Sequence, residues 1–251
     1  MKIYPPDTKC ECEVIVIYEI ADIVPVEDNE HYLSIDLGLH NLMTCYDSNG
    51  KSFIIGRQYL NICHKYDKEI ARVQSQWAKT QTVKGIKYPK PSKHLLKLYE
   101  KKHNAVKDYL HKVTHYIAEY CKENGISKVI VGDLTGIRED NDLKALTNQK
   151  LHALPYHQMY IQLQYKLALN GIIFIMQNEK YSSQCPPDSP EVSAKYAKKN
   201  NRKERGPYKN GQKIYNTDCV GAYNIMRMYT GVQSGENLKA LSNPEVIKVA
   251  V

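Results

Sequence analysis

The sequence predicts an α/β fold: a mixed five-stranded sheet with flanking helices and a helical hairpin inserted after the third strand. Three observations carry that expectation. Apolar runs of strand length recur at residues 32–37, 127–133 and 171–176. Two β-rich runs, 41–47 and 52–56, flank Asp47-Ser48-Asn49-Gly50, and Asn-Gly is a strong hairpin signal. Two long segments with apolar residues at helical spacing then separate this β-rich start from the next strand.

Taken in order, residues 10–20 mix alternation with an apolar run and read as a strand. Residues 21–31 are acidic, carry a proline and read as a linker. Residues 32–37 form a strand of the buried type, and the hairpin follows. The first helix is expected over 58–79, with Tyr59, Ile62, Tyr66, Ile70 and Val73 on one face. A polar turn, 80–92, leads to a longer helix over 93–123, with Ser92 suited to its N-cap and Gly125 to its end. The strand 127–133 ends on Asp133, and residues 135–150 read as loop. Pro155 opens a helix over 155–169, which Asn170-Gly171 stops. The last apolar strand follows, then Glu179. Residues 182–215 are basic, polar and expected to be irregular; a final helix spans 217–229 and Gly231 ends it. The tail from 232 carries Pro244 and a weakly apolar end.

With 251 residues, 42% apolar and 25% charged, the chain is long enough for a full core. No apolar stretch is long enough to span a bilayer, and no membrane partner is expected. The first six residues lack the apolar centre of a signal peptide, so a cytoplasmic location is expected. Seven scattered cysteines do not suggest a disulfide framework. Net charge is +8, unevenly placed: residues 60–125 carry +8, residues 195–213 carry +7, and the rest sums to −7. Two basic segments on an otherwise acidic chain point to a polyanion partner.

The acids supply the chemistry. Asp36 and Asp133 end apolar strands, Glu179 follows another, and Asp218 lies in the last helix. Carboxylates so far apart in sequence converge only if the strands share a sheet, and converging carboxylates attract hard divalent cations. Each acid also has an ordinary alternative: Asp36 could cap a turn, Asp133 begin the loop, and Asp218 cap the helix. The element order, β-β-β-α-β-α-β-α, is that of the ribonuclease H-like fold. Its site lies on the first and fourth strands and the last helix.

Four segments in this order resemble the RuvC-type nuclease portion of TnpB-like (OrfB-type) transposon-encoded proteins, relatives of the type V CRISPR effectors. They are Ser34-Ile35-Asp36-Leu37-Gly38-Leu39 with Asn41-Leu42, then Gly132-Asp133-Leu134-Thr135-Gly136-Ile137-Arg138, then Glu179-Lys180-Tyr181-Ser182-Ser183-Gln184-Cys185-Pro186, then residues 215–225 around Asp218. The resemblance spans roughly residues 10–230. It implies an RNA-guided DNA endonuclease using two Mg²⁺ (or Mn²⁺) ions, with DNA and a guide RNA as partners. Its metal-binding acids would be Asp36, Glu179 and Asp218, with Asp133 as the alternative second acid, because Gly132 stands where many relatives carry a Glu. Arg138, Lys180, Arg202 and Arg205 are the candidate phosphate contacts.

Two departures shape the expected domains. Relatives carry a zinc ribbon before the final Asp, whereas residues 182–215 hold one cysteine, Cys185, and no histidine; structural zinc is not expected. Relatives also begin with further domains, so residues 1–30 read as the remnant of a wedge domain plus linker. The nuclease domain would comprise 31–181 and 216–231, with 182–215 as a basic insertion and 232–251 as a tail. The competing functional reading is a non-cleaving nucleic-acid-binding regulator of the same ancestry. Asn224 reads as packing, and His64, His94, His103, His111 and His115 as helix-surface residues.

Overall fold

The computed structural model describes residues 2–4, 13–19, 21–135, 154–197, 207–232 and 238–250. Strands β1 (Lys2–Tyr4) and β2 (Glu13–Ile15) pair antiparallel on their own. The expected strand over 10–20 is thus confined, among the described residues, to Glu13–Ile15, and residues 16–19 are exposed and extend no strand.

The central sheet has six strands, not the five expected. Strands β3 (Tyr32–Leu37), β4 (Met43–Asp47) and β5 (Lys51–Ile55) form the antiparallel start. The helices α1 (Tyr59–Val83) and α2 (Lys93–Glu123) follow as the hairpin, then β6 (Lys128–Asp133), α3 (Tyr156–Ala168) and β7 (Ile173–Asn178). Beyond a small hairpin, β8 (Pro207–Asn210) and β9 (Lys213–Asn216), runs α4 (Thr217–Thr230). The sixth strand is β10 (Glu245–Ile247). Across the sheet the order is β10-β5-β4-β3-β6-β7; β4 runs antiparallel to both its neighbours, and every other pairing is parallel.

Two expectations are corrected here. The tail from 232 is part of the sheet, because Ser52 Oγ donates to Ala240 O, Leu241 is fully buried and β10 extends β5. Residues 182–215 are not irregular throughout, because β8 and β9 pair over Pro207–Asn216. The linker has no helix or strand but is tied down: Val26 N donates to Gly171 O (2.8 Å) and Asn29 Nδ2 to Gly125 O (2.8 Å). Gly171 is required there, with φ of 70° and Val24 O 2.9 Å from where a Cβ would stand. The long helix has the expected bounds, and Ser92 Oγ accepts from Leu95 N as its N-cap.

Strand alternation sorts the sheet into two faces. Leu33, Ile35, Leu37, Met43, Cys45, Val129 and Val131 join the larger core with α2 and α3 residues such as Leu110, Ile117, Met159 and Leu163. Tyr32, Tyr46 and Ile130 join the smaller core beneath α4, with Val220, Ala222, Ile225 and Leu241.

Deleting residues 238–251 should lower the melting temperature and promote self-association, since it strips Leu241 from the core and uncovers the β5 edge. Calorimetry and light scattering on the shortened chain check this.

Candidate active site

Asp36 lies one residue before the end of β3, and by alternation its side chain points to the α4 face. There it meets a helix that comes unusually close. Ser34 Oγ donates to Ala222 O (2.7 Å), and a Cβ on Gly221 would stand 2.5 Å from Asp36 Oδ2 and 3.1 Å from its Cγ. The missing side chain at Gly221 is what admits the carboxylate. Asp218 is three residues earlier on the same helix, hence on the same face. Its Oδ2 accepts from Asn41 Nδ2 (2.7 Å), and Asn41 Oδ1 accepts from Arg57 Nε (2.9 Å). Asp218 does not cap α4; Asn216 does, accepting from Asp218 N and Cys219 N. The buried Cys219 thiol feels the same group of charges. Burial, with Asp218 and Asp36 adding to it, pushes it up to about 12 against the lowering effect of the Ser52 hydrogen bond and of Arg57.

Glu179 follows β7 directly. Its carboxylate fills the space where a side chain at Gly132 would stand, and Ile225 Cδ1 is 3.1 Å from the same point. Ile225 is one turn beyond Gly221, so Asp218, Asp36 and Glu179 meet α4 at successive turns, each turn about 5–6 Å on. Burial pushes the Glu179 carboxyl up to about 7, with the Asp133 charge adding to it, and Glu179 Oε2 is buried without a hydrogen-bond partner. Asp133 ends β6 on the parity of Val129 and Val131, the α3-facing side, and its Oδ1 accepts from Thr135 N (2.8 Å) and Thr135 Oγ1. It caps its own turn. Tyr160 OH fixes this strand end, donating to Gly132 O (2.7 Å) and accepting from Leu134 N (2.9 Å).

The structure therefore brings Asp36, Glu179 and Asp218 to one face and sets Asp133 at its margin. Among the described residues, no three His, Cys, Asp or Glu side chains stand close enough to enclose a metal ion by themselves. Lys180 is exposed, with its Nζ 5.3 Å from the Tyr181 ring centre. Arg138, Arg202 and Arg205 lie outside the described residues.

The family model described as a probable transposase of the OrfB type matches residues 15–138, and that of the Cas12f1-like TNB domain matches residues 156–225. Taken in chain order, the two matches are those of a TnpB-like protein of the OrfB type. Among solved structures it is similar to a Cas12f1–sgRNA–target DNA complex, at 19% identity and a TM-score of 0.59, covering 81% of this chain and 51% of that one. A CRISPR–Cas12f ternary complex gives 18% identity and a TM-score of 0.58, covering 83% of this chain and 40% of that one. The chain thus spans about half the length, or less, of these effectors. No curated protein matches it.

Sequence reasoning passed over Arg57, which follows the β5 run but lies in none of the four quoted segments. It also quoted Asn41 without assigning it a role, although the hydrogen bond to Asp218 is formed by that side chain.

Two outcomes are expected. Gly221→Ala puts a methyl group where the Asp36 carboxylate lies, so Mn²⁺ binding, followed by the loss of free-ion EPR signal, should weaken at least about tenfold. The thermal stability should change by no more than about 1 kcal/mol, since the clashing atoms end a movable side chain and alanine favours the helix. Glu179→Gln tests the electrostatics. The folded chain holds the Glu179 proton to about pH 7, whereas the unfolded chain releases it near the ordinary 4.5. Metal-free stability should therefore fall as pH rises from about 4.5 to 7, and the Gln variant should exceed the parent at pH 8 by about 1–3 kcal/mol and match it near pH 4.

Proposed function

We propose that the chain is the nuclease portion of a transposon-associated, RNA-guided DNA endonuclease, hydrolysing phosphodiester bonds at Asp36, Glu179 and Asp218 with two Mg²⁺ or Mn²⁺ ions. The observation that carries this reading is the pair of glycine cradles. Gly221 and Gly132 leave room for the Asp36 and Glu179 carboxylates on one face of α4, with Asp218 a turn away. The strand order β5-β4-β3-β6-β7, with β4 alone reversed, supports a RuvC-type, ribonuclease H-like domain to which β10 adds an edge.

The residues suit hydrated Mg²⁺. That ion keeps several waters and needs only one or two protein carboxylates plus substrate phosphates, so an enclosing cage is not required. The orphaned Glu179 Oε2, buried and held toward its neutral form, is an acceptor that a cation satisfies. Bound ions would polarise the phosphodiester and activate the attacking water. Asp36 would be the central acid of the three that hold the ions, because it meets α4 between the turns of Asp218 and Glu179. Asn41 orients Asp218, and Arg57, held by Asn41 and exposed at the rim, is placed to meet a phosphate.

DNA and guide RNA as partners are supported by the named contents of the Cas12f1 complex. They are also supported by the tip of the helical hairpin, where Lys79, Lys84, Lys87 and Lys90 flank Tyr88 in sequence, Tyr88 being 82% exposed with Lys87 Nζ 5.5 Å from its ring centre. The same basic hairpin tip also serves a second reading, a binder that does not cleave.

Incubation with single-stranded DNA separates them. Nicking should require Mg²⁺ or Mn²⁺ and should drop at least about a hundredfold in Asp36→Ala, with its circular dichroism unchanged. Cleavage that survives this substitution would remove the site assignment. Salt-sensitive DNA binding with no cleavage in any metal would establish the non-cleaving reading.

A further inference from the structure

The family resemblance implies a zinc ribbon in residues 182–215, and the side chains present do not fit one. A structural zinc site needs four ligands. This stretch holds only Cys185 and no histidine, and the buried Cys185 Sγ donates to Ser193 O (3.3 Å). Its described part nevertheless packs on α4 through buried residues such as Cys185, Tyr208 and Tyr215, so its backbone groups must be satisfied by something else.

Two α4 side chains do this. Asn224, fully buried, donates through Nδ2 to Ser182 O (2.7 Å) and Cys185 O (3.0 Å). Arg227, 5% exposed, donates to Pro187 O (3.3 Å), to Ser189 O and to Asn224 Oδ1 (3.0 Å). Four carbonyls of one irregular segment thus converge on an amide and a guanidinium that are bonded to each other. Tyr208 OH adds Gln184 O (3.1 Å), and Asn210 Nδ2 adds Asp188 Oδ1 (2.8 Å) from the β8–β9 hairpin. A guanidinium offers five donors in a rigid fork, so one residue can organise several carbonyls as a metal organises several thiolates.

The clamp leads directly to the acidic site. Ser182 N donates to Glu179 O (3.0 Å), and Ser182 O is the carbonyl gripped by Asn224. Between them Tyr181 has a φ of 70°, a left-handed conformation that a bulky residue keeps only when its surroundings impose it. Ile225, next to Asn224, shares the space over Gly132 with the Glu179 carboxylate.

We propose that Asn224 and Arg227 replace the structural zinc of this family with a metal-free hydrogen-bond clamp, and that the clamp makes them positioning residues for Glu179. The positioning half rests on the reading of Glu179 as a metal-site acid; the clamp half does not.

The test uses the full chain, purified without added zinc. Elemental analysis should find zinc well below stoichiometric, and EDTA should leave the melting temperature unchanged. Asn224→Asp keeps the size but cannot donate to the carbonyls. Hydrogen exchange at the amides of residues 182, 184, 185 and 189 should then quicken at least about tenfold. Mn²⁺ affinity, read from the free-ion EPR signal, should fall about tenfold. Arg227→Lys, which retains a charge and some donors, should fall between the parent and Arg227→Leu in both measurements, which a loss of packing alone would not produce. Stoichiometric zinc, melting by EDTA, or unchanged exchange in both Asn224→Asp and Arg227→Leu would overturn the clamp. Faster exchange with unaltered Mn²⁺ affinity would overturn the positioning role. If Glu179→Ala leaves Mn²⁺ affinity unaltered, the metal-site reading of Glu179 fails, and with it the positioning role, while exchange alone decides the clamp.

Discussion

The close approach of α4 to β3 is the constraint on which the rest of the site depends. With no side chain at Gly221, the helix lies near enough for Ser34 Oγ to reach Ala222 O, and the Asp36 carboxylate occupies the space a methyl would fill. The same approach brings the Tyr46 and Tyr223 rings edge to face at 5.0 Å. Any side chain at Gly221 would have to displace the carboxylate or lift the helix. The position of α4 and the position of the acids are therefore one geometric fact.

Burial by itself does not distinguish a site acid from a structural one. Asp47 is only 1% exposed, yet it accepts from Tyr120 OH (2.8 Å) and Asn49 N (2.8 Å), and it pairs with His31 Nε2 (2.9 Å). Those partners tie the hairpin turn to α2, so Asp47 reads as an architectural carboxylate. Glu179 is only partly buried as a residue, but one of its oxygens is enclosed without a partner, next to the charge of Asp133. A buried oxygen in that condition costs free energy that the surrounding fold must offset. Its persistence between two strand ends and a helix is what an acceptor for an external cation would require.

Much of this was legible in the sequence, for identifiable reasons. The strands and the long hairpin announce themselves through period 2 and period 3.6, and Ser92 and the Asn-Gly turn mark boundaries with side-chain chemistry. Period 2 also held information on the acids. Asp36 shares the parity of Ser34 and Tyr32, whereas Asp133 shares that of Val129 and Val131, so the two point to opposite faces. What the sequence concealed depends on tertiary contact. The segment Glu245–Ile247 is too short to declare itself a strand until β5 offers an edge. Pro207–Asn216 reads as loop because its lysines and asparagines mask a hairpin that α4 and Leu241 bury only in three dimensions. The capping of α4 by Asn216 rather than Asp218 is a choice between adjacent polar residues that composition does not make.

The two faces of the sheet carry different burdens, and this bears on how such a site is kept. The face beneath α1, α2 and α3 is apolar, with Leu33, Ile35, Val113, Ile117 and Leu163 all fully buried. It supplies hydrophobic burial that does not depend on the acids. The α4 face mixes tyrosines, a buried serine, a buried arginine and the carboxylates. Like charges gathered on that side oppose folding, so the apolar face must hold the sheet together against them. The basic segments follow the same logic. The tip lysines belong to the hairpin that packs on the first face, and the Arg57 guanidinium is linked to Asp218 through Asn41. Positive charge is thereby kept outside the acid row and at its rim, where it can steer a polyanion without neutralising the carboxylates that would bind metal.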